Sequence, residues 1–179
     1  NGNDGMVNGA TLGTNRHGQV GKAYQTNGNG FISVSDSPIL DIDGQKSLTV
    51  SAWFKSSGNH RQFILQKKNI NTIGTYRPGY FIDLNNQGST HFVVSDSSSQ
   101  ESTPAKNVNL SDGKWYHVLA VLDRSNQQAR LYIDGVVVDS QIATLGDLSN
   151  DGDLIIGRRT SAENLDGSID DIRIYNRAL

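Results

Sequence analysis

No cysteine occurs among the 179 residues, so the chain has no disulfide frame, no thiolate nucleophile and no zinc-thiolate centre. That leaves the redox compartment open. Proline is scarce, at 3 residues, and no apolar run approaches the ~20 residues that span a bilayer as a helix. Neither sign of charge dominates: 16 Lys and Arg stand against 18 Asp and Glu, for a formal net charge of -2. Scattered in this way, the charges form no footprint for nucleic acid or an anionic membrane. Nowhere does an apolar i, i+3, i+4, i+7 pattern persist for the ~10 residues of an ordinary helix.

Glycine is plentiful, at 19 residues, and much of it stands in Asn-Gly and Asp-Gly pairs. Asn27-Gly28, Asp112-Gly113, Asp134-Gly135 and Asp166-Gly167 are examples, and such pairs supply the positive backbone angles of tight hairpin turns. Between the turns lie short segments of period-two alternation. The clearest is Leu48-Thr49-Val50-Ser51-Ala52-Trp53-Phe54, which places Leu48, Val50, Ala52 and Phe54 on one face. The stretch 131–138 reads as two strands joined at Asp134-Gly135, and further strands are expected near 18–25, 30–34, 62–67, 79–84, 90–95, 115–122, 153–157 and 168–175. The fold class that follows is all-β, a two-sheet antiparallel jelly-roll sandwich. With 35% hydrophobic residues, no composition break and no internal repeat, residues 1–179 are read as one domain. The polar stretches 69–78 and 96–104 exceed what a hairpin needs and are expected to be recognition loops. The opening residues already read as domain interior, which predicts a chain trimmed from a larger multidomain protein.

Several segments, taken together, carry a resemblance: Gly2-Asn3-Asp4-Gly5, Leu48 through Lys55, Asp112-Gly113-Lys114-Trp115-Tyr116-His117-Val118, Leu131-Tyr132-Ile133-Asp134-Gly135, and Gly167 through Leu179 with its Ile169-Asp170-Asp171-Ile172-Arg173-Ile174-Tyr175 core. In this order and spacing the chain resembles the concanavalin A-like, laminin G-like jelly-roll domains of secreted bacterial proteins. The resemblance implies an extracellular address and a sugar-binding or adhesive role, as an appendage of a polysaccharide-active enzyme or a surface protein. Such domains usually begin with a further strand and polar loop upstream of the Gly-Asn-Asp-Gly stretch, so a ligand supplied from there is expected to be missing. Because one fold hosts many functions, this step is analogy.

Read as an uninterrupted strand, Asp170, Ile172 and Ile174 share one face, and a carboxylate pointing inward needs a partner. The N-terminal residues Asn1, Asn3 and Asp4 offer oxygen atoms, and the resemblance implies a structural Ca²⁺ held between them and Asp170. Hard oxygen donors suit calcium. The alternative is an aspartate accepting backbone N–H bonds. For a sugar, planar side chains must cover ring faces while Arg, Asn, His or Asp meet the hydroxyls, because unpartnered buried hydroxyls are costly. His60, Arg61, Tyr76, Arg77 and Tyr80 qualify, as do Arg158, Arg159 and Asn164. Surface or packing roles are the plain alternative for each. Trp53 and Trp115 are read as structural.

Catalysis is not expected. The retaining glycosidase mechanism needs carboxylates ~5–5.5 Å apart, whereas Glu101 and Glu163 sit in separate polar segments and neighbours such as Asp170 and Asp171 point to opposite faces of a strand. The four histidines, His17, His60, His91 and His117, follow no zinc spacing, and no Gly-x-Ser-x-Gly elbow occurs. The sequence thus reads as a non-catalytic, calcium-stabilised carbohydrate-binding module that is monomeric and tethered to other domains. Its partner would be a poly- or oligosaccharide, with no nucleic acid and no membrane insertion. The alternative is a structural or adhesive spacer without a sugar site.

Overall fold

The computed structural model describes residues 3–69, 76–106 and 108–179. Their strands, in chain order, are β1 (Met6–Asn8), β2 (Thr11–Gly13), β3 (Ala23–Gln25), β4 (Phe31–Val34), β5 (Leu48–Ser56), β6 (Gln62–Lys68), β7 (Gly79–Leu84), β8 (Thr90–Ser95), β9 (Gln100–Pro104), β10 (Trp115–Asp123), β11 (Gln128–Ile133), β12 (Val136–Ile142), β13 (Leu154–Ile156) and β14 (Gly167–Tyr175). No helix occurs among the described residues. The first sheet runs β1-β4-β13-β6-β7-β8-β9 and the second β12-β11-β10-β5-β14-β3-β2. Neighbouring strands in both pair antiparallel. This is the two-layer jelly roll that the alternation pattern predicts.

Each sheet turns one apolar face inward. Leu48, Val50, Ala52 and Phe54 of β5 meet Val118, Ala120 and Leu122 of β10 in the same core as Tyr80, Ile82, Phe92 and Val94 from the first sheet. All of these are at most 1% exposed, so truncating any of the large ones leaves a cavity the sheets cannot collapse into. At the β11–β12 hairpin Asp134 and Gly135 take φ of 49° and 81°, the two successive positive angles of a type I′ turn.

Three expectations about individual segments fall. Residues 100–104, expected to be a loop, form the edge strand β9, in which Pro104 stands at the strand end and on the sheet rim; proline is tolerated there because no further strand needs its missing N–H. The 18–25 strand shortens to β3, because 15–22 is held in turns by Asn15, whose Oδ1 accepts the N–H groups of His17 and Gln19. The third concerns β14. Its register against β5 shifts between Asp170 and Arg173, and Asp171 takes a φ of 48°. This bulge inserts one residue and reverses the alternation. Ile169 therefore points into the core ahead of the bulge, while Ile172 and Ile174 pack against the core beyond it. Asp170, opposite Trp53 in the register, lies on the outer face.

Candidate functional site

The outer face of the first sheet is built by the side chains that alternate with its core residues. Phe81 lies between core residues Tyr80 and Ile82, and Val93 lies between Phe92 and Val94; with Phe63 they form a second, smaller apolar cluster. Phe63 and Phe81 meet at 5.1 Å between ring centroids. Cations cover them. The Arg61 guanidinium carbon lies 5.0 Å from the Phe63 centroid, Arg159 lies 5.3 Å from the same ring, and Lys68 Nζ lies 5.6 Å from Phe81. Alongside, Arg158 lies 4.7 Å over Phe31. These distances fit cation–π attraction, and the long stems shield the rings from water.

Beside this cluster lies a cleft of ≈ 340 Å³ lined by Phe31, Gln66, Lys68, Asn69, Gly152, Asp153, Ile155, Arg158 and Arg159. Gln66 is 3% exposed, and its amide oxygen Oε1 has no hydrogen-bond partner among the described residues. A buried acceptor left unmet costs about 1–3 kcal/mol, and this one belongs to a side chain that lines the cleft. Lys68 donates to Ser95 Oγ at 2.7 Å. Its burial, and then the Arg159 and Arg77 charges, lower its pKa to about 8.

That shift has a consequence for stability. Between about 8 and the ordinary lysine value of 10.5, the unfolded chain binds the proton and the folded chain does not. Stability is therefore expected to rise with pH across that window, fully gained only near 10.5. Denaturant titrations at pH 7.5 and 10 on wild type and Lys68→Met check this, because the variant should lose Lys68's share of the rise.

The structure thus brings Arg61, Arg158 and Arg159 to one face, with Arg77 near enough to Lys68 for their charges to repel. Lys68, Gln66 and the phenylalanines join them without having been expected. Arg61 is neutralised by Asp83, which its Nε and Nη2 both approach at 2.6 Å; Arg159 Nη1 lies 3.5 Å from Glu163 Oε1. His60 and Asn164 serve the loop instead: His60 Nε2 lies 3.1 Å from the Asn164 carbonyl, and Asn164 Nδ2 donates to the Ser161 carbonyl at 2.8 Å. Tyr76 is exposed. Residues 70–75 of the expected loop 69–78 lie outside the described residues.

Tyr80 is a correction. It points into the core at 1% exposure, because its strand neighbour Phe81 takes the outer face. Its hydroxyl is buried without a partner among the described residues, and burial pushes its pKa up, with the Asp41 charge adding to the effect. Tyr80→Phe is accordingly expected to be neutral or to stabilise by up to about 1 kcal/mol, and to leave ligand binding unchanged. A Tm that falls by several degrees in this variant would show that the hydroxyl has a partner in solution.

The outer face of the second sheet holds the other candidate group. Asp170 Oδ2 accepts from Arg16 Nη1 at 2.7 Å, and Arg16 Nη2 reaches Asp171 at the same distance. The Arg16 guanidinium also lies 4.7 Å over Trp53, whose ring is 5.2 Å from that of His117. Burial lowers the His117 pKa. Of the other expected calcium ligands, Asn3 lines a hollow with Leu40, Ile174 and Tyr175, Asp4 is exposed, and Asn1 lies outside the described residues. Among the described residues no group of three or more His, Asp or Glu side chains is gathered for a metal. In this structure the partner of the Asp170 carboxylate is the Arg16 guanidinium. Chelation with EDTA is therefore expected to leave the Tm unchanged, whereas Arg16→Ala should lower stability by about 1–2 kcal/mol by unpairing Asp170. An EDTA-dependent loss of Tm that Asp170→Ala abolishes would restore calcium to this position.

With both faces described, comparison with known proteins places the fold. The binding domain of Paraclostridial Mosquitocidal Protein 1 superposes at a TM-score of 0.76 with 18% identity, over 99% of this chain and 45% of that one. Domain 4 of AbnA, a GH43 extracellular arabinanase from Geobacillus stearothermophilus solved with arabinotriose, gives 0.70 and 23% identity over 98% and 83%. Domains LG4-5 of the mouse laminin alpha1 chain give 0.60 and 19% over 81% and 41%. The chain thus spans under half the length of the first of these. A search of curated proteins found no match. A laminin G-type family profile, described as the concanavalin A-like lectin/glucanases superfamily, matches residues 26–179. The sandwich, its strand order and that match agree, and the chain belongs to the concanavalin A-like lectin/glucanases superfamily.

Proposed function

We propose that this is a non-catalytic carbohydrate-binding module, and that the sugar is held in the cleft on the outer face of the first sheet. The observation that carries this reading is the buried, unpartnered amide oxygen of Gln66, a residue that lines the cleft together with Lys68, Arg158, Arg159, Asp153 and the apolar Phe31 and Ile155, among others. A sugar hydroxyl supplies the donor that Gln66 lacks, and a ring face suits the apolar floor. The arabinotriose bound to the arabinanase domain is a property of that protein, and it supports sugar binding here by analogy only. An extracellular setting and attachment to a larger surface or polysaccharide-active protein belong to the same reading. The two glutamates favour no hydrolytic role: Glu101 lies on β9, while Glu163 is held by Arg159 and by Thr160 Oγ1 at 3.2 Å in the 160–164 turn.

One feature favours the spacer alternative. Phe63 is fully buried beneath the cations, so the face offers no large bare aromatic platform. A shallow site of this kind is expected to bind in the micromolar to millimolar range, about -8 to -4 kcal/mol. A screen of immobilised plant and microbial polysaccharides, followed by calorimetry on the hits, tests the reading. Binding that weakens at least tenfold in Gln66→Leu, with the Tm kept or raised, supports it. A blank screen at millimolar oligosaccharide overturns it in favour of the spacer.

A further inference from the structure

We infer that the sugar this cleft takes is acidic, bearing a carboxylate or sulfate group; the inference rests on the carbohydrate-binding reading and deepens it. Five cationic side chains, Arg61, Lys68, Arg77, Arg158 and Arg159, gather on or beside one face of a chain whose formal net charge is -2. Two of them are spoken for. Arg61 is bound by the buried Asp83, and Arg159 by Glu163. Among the described residues no carboxylate lies within ion-pairing distance of Lys68, Arg77 or Arg158; the charged groups felt by Lys68 are the two further cations Arg159 and Arg77. The one carboxylate lining the cleft is Asp153, whose Oδ1 accepts the Asp36 N–H at 3.0 Å. The local balance is therefore positive, in a half-buried setting where charge is felt strongly.

Two complementary demands coincide in the cleft. The cations call for an anion, and the unpartnered Gln66 oxygen calls for a hydroxyl or N–H donor a few ångströms away. A phosphate or polyphosphate answers the first and brings no ring face for the apolar lining of Phe31 and Ile155. A neutral sugar answers the second and leaves the cations unmet. A sugar ring with an acidic substituent answers both, and guanidinium groups bind such oxyanions in a directed, forked geometry. Burial is the main cause of the depressed Lys68 pKa, and the smaller share from Arg159 and Arg77 reflects the same gathering of cations beside the cleft.

Calorimetry on the whole chain at pH 7 with one galactose framework in several charge states tests the idea: trigalacturonate, its methyl ester, neutral galactotriose and sulfated galactotriose, with inorganic tripolyphosphate as the sugar-free anion. The expected result is that trigalacturonate or sulfated galactotriose binds at least tenfold tighter than the methyl ester and galactotriose, and the preferred one of the two identifies the acidic group. That preference should fall as NaCl is raised from 50 to 500 mM, and should drop at least fivefold in Arg158→Gln and in Lys68→Met. The salt dependence is read on wild type and so does not rely on the variants folding. Equal binding of the methyl ester or galactotriose overturns the acidic preference and leaves the sugar reading standing. Tripolyphosphate binding as tightly as the acidic sugars overturns it as well, by showing plain charge attraction. No binding by any sugar overturns both.

Discussion

Gly79→Ala is expected to leave little folded protein. Gly79 opens β7 opposite Lys68 in the register with β6, and its φ of 132° lies where side chains are rarely accommodated. A Cβ built there would stand 2.2 Å from the Lys67 backbone oxygen and 3.0 Å from the Lys68 Cα. Because the obstacle is backbone in a central strand pair, it cannot swing aside as a side-chain tip would. Unfavourable φ contributes about 1–3 kcal/mol, and forcing β7 away from β6 adds the loss of ladder hydrogen bonds and core contact, for a total of about 4–6 kcal/mol. Against a typical domain stability of about 5–15 kcal/mol, that shows as an insoluble product or as a Tm lowered by more than ten degrees. A Gly79→Ala protein that melts within a few degrees of wild type would contradict the close β6–β7 pairing that places Lys68 beside the cleft.

Asp83→Ala should rank close behind. Asp83 is fully buried, yet it belongs to the outer face of the first sheet, where it accepts from Arg61 at 2.6 Å and lies 3.1 Å from His91 Nδ1. The Arg61 side chain is 41% exposed and water can meet its charge once Asp83 is gone, so the cost comes from the lost charge-assisted hydrogen bonds and the space left behind, about 2–3 kcal/mol. Arg61 would also lose the contact that holds it over Phe63, so the cover of the small apolar cluster would loosen. Asp83→Asn keeps one acceptor oxygen and is expected to cost about half as much. Urea denaturation of both variants measures this; equal and small losses, under about 1 kcal/mol each, would reduce the Arg61–Asp83 pair to a surface contact.

The two sheets were legible because alternation and turn chemistry are local. Val50, Ala52 and Phe54 announce a buried face by spacing alone, and Asp134-Gly135 announces its turn by residue type. Where a bulge intervenes, the same reading fails. Asp171 adopts a positive φ without being glycine, so nothing in the alternation of β14 marks the point at which Asp170 is turned outward to meet Arg16. The strand β6 is similar: its pairing with β7 shifts between Phe63 and Leu65, which sends Phe63 to the outer face while Ile64 and Leu65 join the core. Convergence is the other thing local patterns do not carry. Arg61, Arg77 and Arg158 were singled out as residue types suited to recognition, but their meeting depends on β13 inserting between β4 and β6, a long-range pairing. Nothing local marks Lys68, because a lysine ending a strand is ordinarily solvated and its burial comes from neighbours distant in sequence. Tyr80 suits a sugar site by residue type and by its place near a strand end, but alternation within β7 turns it into the core while Phe81 takes the outer face.

Which face of the sandwich meets the sugar is read directly by an amide and indole NMR titration of the labelled chain with trigalacturonate. The predicted result is saturable shifts at Gln66, Lys68, Gly152, Arg158 and Arg159, with the indole N–H of Trp53 unmoved on the opposite sheet. Shifts centred on Trp53, His117 and Arg16 with the first-sheet cleft silent, or no shift anywhere at millimolar sugar, would contradict it.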